Sequence, residues 1–123
     1  MLKKIIDSLE EKKANHIKIL DVSGISELWG YFVICSGTSD THIRALRDNV
    51  EKNVEESGGR IYYKETGMES GWIIIDSGDI LVHIFSEAMR EYYSLERLWG
   101  GAEVADGDII EEKAGGKDYE KKE

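Results

Sequence analysis

Three aspartates are the first candidates for chemistry. Asp76 and Asp79 bracket a tight turn, DSGD, and Asp21 closes an apolar strand-like run. Carboxylates gathered at strand ends can hold magnesium for phosphoryl transfer. Two features weigh against that reading. Aspartate beside glycine in a short turn is what local backbone geometry favours. The nearby GTSD, Gly37 to Asp40, is too short for a phosphate-binding loop and carries no lysine. The aspartates therefore read first as turn-forming residues.

The other reactive side chains are few. The single cysteine, Cys35, excludes an internal disulfide and lies in the apolar run YFVICSG, where a thiol acts as a small hydrophobe. The three histidines are far apart and lack metal-site spacing. His16 and His42 lie on or beside expected helix starts. His83 alternates with Leu81 and Phe85, so it reads as a hydrogen-bonded core residue whose tautomer a nearby aspartate would fix.

A different chemistry is suggested by HIFSEAMREYYSLERLWG, His83 to Gly100. Met89, Tyr92, Tyr93, Leu95, Leu98 and Trp99 crowd eleven residues, interleaved with charge. Excess apolar surface rimmed by charge fits a protein-binding face. Trp29, Trp72 and Trp99 stand out, because tryptophan dominates interface energetics. Trp72 begins a strand and reads also as a sheet contact with a helix, and Trp99 reads equally as core closure or partner contact. Arg90 and Arg97 flank the aromatics as rim contacts.

These residues need a scaffold. Leu2, Ile5, Ile6 and Leu9 predict an amphipathic helix over residues 2 to about 14. Ile17 to Val22 reads as a strand. Tyr31 to Ser36 reads as a central strand buried on both faces. Thr38 or Ser39 caps a helix whose apolar stripe is Ile43, Leu46, Val50 and Val54, and which stops at Gly58-Gly59. Ile61 to Lys64 returns as a strand. Trp72 to Asp76 and Ile80 to Phe85 form a hairpin, with Ile80, Val82 and Ile84 on one face and Leu81, His83 and Phe85 on the other. Ser86 caps a last helix from Glu87. The expected architecture is a single α/β domain over residues 1–105, a mixed sheet of about five strands flanked by helices. Residues 106–123 are expected to be a polar, disordered tail.

Composition narrows the partners. Sixteen basic residues against twenty-five acidic ones give a net charge of -9, which opposes general phosphate binding but suits docking on a basic protein. No apolar run is long enough to span a bilayer. The N-terminus lacks signal-peptide features and reads as a cytoplasmic start. An unpaired sheet edge or exposed aromatic helix offers a route to a symmetric homodimer.

The stretches Leu20 to Leu46, Gly71 to Phe85 and Glu87 to Gly100 together resemble the ribosomal silencing factor family, RsfS, also called Iojap. The resemblance implies a nucleotidyltransferase-like sheet topology without enzymatic activity or cofactor. It implies binding to the large ribosomal subunit through its protein number fourteen, which blocks joining of the small subunit and represses translation when nutrients are short. Organelle relatives imply the alternative of large-subunit assembly, and a metal-dependent transferase using the three aspartates is a further alternative. On the family's pattern the partner-binding residues are Trp72, His83, Arg90, Tyr92, Leu95, Arg97, Leu98 and Trp99. The chain departs from that pattern at Gly30, Ser77 and Gly101.

Overall fold

The computed structural model describes residues 1–65, 71–93 and 103–104, with 63–65, 91–93 and 103–104 as backbone. The expected tail, residues 106–123, lies outside the residues that the structure describes. Along the chain run α1 (Leu2–Glu11), β1 (Asn15–Asp21), β2 (Tyr31–Gly37), α2 (Asp40–Glu56), β3 (Tyr63–Glu65), β4 (Trp72–Asp76), β5 (Ile80–Ser86), α3 (Glu87–Tyr93) and β6 (Glu103–Val104). The strands form one sheet in the order β3-β4-β5-β2-β1-β6. At its centre β2 and β5 run parallel, from Tyr31 opposite Ile80 to Gly37 opposite Ser86. The other neighbours pair antiparallel. The sheet is mixed, as expected, but has six strands among the described residues rather than five. The addition is β6, two residues that pair with Leu20 and Asp21.

The central strand earns its apolar run. Every residue of β2 is buried, because helices cover one face and aromatic side chains the other. On the helix face Tyr31, Val33 and Cys35 join Ile73, Ile75, Ile80, Val82 and Ile84. Against them pack Ile43, Leu46, Val50 and Val54 of α2 and Leu2, Ile5, Ile6 and Leu9 of α1. Each such aliphatic side chain contributes roughly 1.5–3 kcal/mol when fully buried. Cys35 belongs to this layer, and burial pushes its thiol up to about 12. It is a packing residue there, as its sequence context suggests.

Local signals set the helix ends. Ser39 is the N-cap of α2, its Oγ accepting from the His42 N–H at 3.1 Å. At the other end Gly58 takes φ +87, the Gly59 N–H donates to the Val54 carbonyl and the Gly58 N–H to that of Glu55. This is a Schellman stop, and glycine suits its left-handed position. The first helix stops in the same way but three residues before the expected end. Lys13 occupies the left-handed position at φ 62, the Ala14 N–H donates to the Leu9 carbonyl and the Lys13 N–H to that of Glu10. His16 consequently lies within β1, not beside a helix start, at φ 53. Asn49 and Asn53 of α2 hold α1 through Ser8, Nδ2 of Asn49 donating to its carbonyl and Nδ2 of Asn53 to its hydroxyl.

Candidate partner-binding face

The three aspartates share one end of the sheet, since Asp21 pairs with Tyr31, Tyr31 with Ile80, and Asp76 with Leu81. Their polar groups are engaged locally. Asp21 Oδ1 accepts from the N–H and hydroxyl of Ser23. Asp76 Oδ1 accepts from the Gly78 N–H, an Asx turn that closes the hairpin. The Asp79 carbonyl accepts from the N–H groups of Gly30 and Tyr31. Among the described residues, no group of three or more His, Cys, Asp or Glu side chains could hold a metal ion.

The sheet face opposite α1 and α2 has another character. Leu20, Val22, Phe32, Ile34, Leu81 and Phe85 are buried there, with Trp29, Trp72, Ile74 and Met89 packed around them. Alternation places these residues: Leu81, His83 and Phe85 are the second face of β5, as the hairpin pattern predicts. Trp72 lies directly opposite Phe85 across β4 and β5. Their rings stack at 5.0 Å with planes 26° apart. His83 is two residues back along β5, on the diagonal from Trp72. Its ring lies 4.8 Å from that of Phe32 and 5.9 Å from that of Trp72. Trp29 meets Phe32 edge-on at 6.0 Å. The result is a continuous aromatic strip across β4, β5 and β2.

His83 is a hydrogen-bonded interior residue, only 3% exposed. Its partner is not the expected aspartate but Trp72, whose Nε1–H donates to Nδ1 at 3.2 Å. An accepting Nδ1 places the proton of the neutral ring on Nε2. That atom is buried without a hydrogen-bond partner. Burial pushes the ring's pKa down to about 3, so it is neutral at physiological pH.

The last helix joins this face as expected: the Ser86 hydroxyl accepts from the Met89 N–H at 3.2 Å. Met89 approaches so closely that a Cβ on Gly71 would lie 2.6 Å from its Cγ, and Gly71 itself takes φ +70. Arg90 makes a contact that its expected rim position does not suggest. Its Nη1 donates to the His16 carbonyl at 2.7 Å, tying α3 to β1. Glu87 does the same through the Asn15 side chain. The structure thus brings Trp72 and His83 together, with Arg90 on the adjoining helix. The side chain of Tyr92, and Leu95, Arg97, Leu98 and Trp99 entirely, lie outside the described residues.

Sequence reasoning passed over Phe32 as part of this face and marked Trp29 only by its type. The signal existed, because Phe32 and Ile34 alternate with Val33 and so must face away from the helices. It also passed over Ile25, Leu28 and Tyr62, exposed at 50%, 71% and 62%. They lie in connections where no periodicity marks them.

Comparison with known proteins decides the family. The sequence profile described as "Ribosomal silencing factor during starvation" matches residues 1–123. The chain belongs to this ribosomal silencing factor family. The RsfS of Bacillus subtilis is 38% identical over 109 residues, which is 89% of this chain and 92% of that protein. A crystal structure of a protein from Chromobacterium violaceum superposes with a TM-score of 0.76 at 34% identity, covering 80% of this chain and 82% of that one. The mouse protein named "Mitochondrial assembly of ribosomal large subunit protein 1" is 31% identical over 98 residues, 77% of this chain and 43% of its own length. Membership in the RsfS family makes ribosomal silencing the general role of the chain. Among the described residues, no helix is long and apolar enough to cross a membrane.

Proposed function

We propose that this RsfS-family protein is a cytoplasmic translational repressor that binds the large ribosomal subunit through its protein number fourteen. Bound there, it blocks access of the small subunit, and it does so when nutrients are limiting. The reading treats the sheet as nucleotidyltransferase-like in topology but without that chemistry. The carboxylates of Asp21 and Asp76 accept hydrogen bonds within their own turns.

The observation that carries the proposal is the aromatic strip of Trp72, Phe85, His83 and Phe32 on the face away from α1 and α2. Phe32, Phe85 and His83 are buried, so the half-buried Trp72, a large flat ring with one polar handle of the kind interfaces use as anchors, is the member of the strip that a partner reaches. The net charge of -9 favours a basic protein over bare RNA as the partner. Steric exclusion works by occupancy, so repression follows factor concentration relative to the dissociation constant. Trp72, His83, Arg90, Tyr92, Leu95, Arg97, Leu98 and Trp99 are the proposed interface residues, Arg90 and His83 acting from partly or fully internal positions. A role in large-subunit assembly is the second reading, supported by the printed name of the mouse relative.

The test is competition. Isolated large subunits are preloaded with the protein and small subunits are then added. Joined ribosomes fall as factor rises, and Trp72→Ala raises the half-effective concentration about thirtyfold, the effect of an anchoring residue worth ~2 kcal/mol. Joined ribosomes unchanged at saturating factor sink the repressor reading. Preferential binding to immature subunits selects the assembly reading.

A further inference from the structure

The histidine at position 83 is an expensive choice for the place it occupies. It is 3% exposed among Phe32, Phe85 and Trp72. Its Nε2 is the one buried side-chain nitrogen or oxygen among the described residues that lacks a partner. A buried donor left unsatisfied destabilises a fold, and an apolar side chain of similar size would avoid that cost. Packing alone therefore does not account for an imidazole here. What the ring supplies is on its other side, where Nδ1 accepts from the Trp72 indole at 3.2 Å.

We propose that His83 is the positioning residue for Trp72, holding the indole by its N–H so that one fixed edge of the ring meets the partner. The inference rests on the reading that Trp72 faces the partner, and it specifies how that contact is prepared. Two contacts among the described residues bear on the indole. Phe85, directly across the hairpin, supports the plane of the indole by stacking at 5.0 Å. Stacking by itself sets the plane of a ring and not its position within that plane. The bond to His83, from the diagonal position, sets that placement by pinning Nε1. A half-buried tryptophan held in one rotamer loses less entropy on docking than one that must be ordered by its partner. Because the ring is neutral at physiological pH, the acceptor is always present. The spare Nε2–H meets no acceptor among the described residues and is the consequence of the tautomer that the indole requires.

The test separates positioning from packing. His83→Phe keeps a ring of similar size and removes the acceptor. His83→Asn returns an acceptor, since its Oδ1 occupies the place of Nδ1. The full chain is labelled with nitrogen-15, and Trp72→Phe assigns the Trp72 indole resonance. In His83→Phe that resonance moves toward the free-indole position and its hydrogen exchange quickens. Affinity for isolated large subunits drops about fivefold to tenfold, the size of one neutral hydrogen bond, and His83→Asn recovers most of it. His83→Leu carries the same comparison where the phenylalanine variant does not fold. An unmoved indole resonance in the acceptor-free variant overturns the proposal. So does a freed indole with unchanged affinity while Trp72→Ala binds weakly, a result that leaves the partner face in place. Unchanged affinity in Trp72→Ala removes the partner-face reading itself, and the proposal with it.

Discussion

The two faces of the sheet are built from the same strands and obey different rules. Under α1 and α2 the side chains are aliphatic apart from Tyr31 and Cys35, and the face is closed by interlocking helix stripes. On the far side the alternate residues of the same strands mix aliphatic side chains with the rings of Phe32, Trp72 and Phe85, and His83 among them leaves a buried donor without a partner among the described residues. The first arrangement maximises packing. The second accepts a local energetic cost in return for oriented rings. On the proposed function one strand serves stability and recognition at once, because a period of two separates the duties residue by residue.

Three changes break or sharpen this contrast. The largest effect is expected from Leu46→Ala in α2, where no space is open to solvent. It destabilises the fold by about 2–5 kcal/mol in denaturant unfolding, while the affinity of the folded fraction for large subunits stays the same. A matching loss of affinity would mean that the faces are not separable. Next comes acidity. The folded pKa of His83, about 3, lies below the ordinary histidine value of 6.5. Between those values the unfolded chain binds a proton that the folded chain refuses, so stability falls as pH drops from about 6.5 toward 3. At pH 5 the histidine's share of that loss is about 2 kcal/mol. His83→Phe flattens this part of the stability profile, as paired unfolding curves at pH 7 and pH 5 would reveal. The smallest effect belongs to Ser39→Ala, which removes the cap of α2 at about 1 kcal/mol and leaves the aromatic face untouched.

Much of this division was readable beforehand. The stripe Ile43, Leu46, Val50 and Val54, the alternation of β5 and the glycine stop after α2 each state their structure in local residue choice. The end of α1 did not, because Lys12 and Lys13 are good helix formers and only the backbone shows Lys13 in the left-handed position. The strand β6 escaped for a related reason: two residues in a polar stretch carry no period, and only pairing with Leu20 and Asp21 defines them. At the candidate site Trp72 was visible by type. Its bond to His83 depended on register, which places the two on a diagonal across β4 and β5. Arg90 was legible as a cation near aromatics, but its anchor, the His16 carbonyl, is 74 residues away in sequence.

The parallel pairing of β2 with β5 has a consequence for how the chain comes into being. The central ladder joins segments that lie roughly fifty residues apart, so its closure is slow compared with the local hairpin of β4 and β5. While the chain is being synthesised, β2 emerges well before its central neighbour exists. Its residues, all buried in the finished fold, then have only α1 and β1 for cover until α2 follows and the hairpin arrives to complete the sheet. Changes in the β4–β5 turn would therefore register first as slower folding or aggregation of nascent chains.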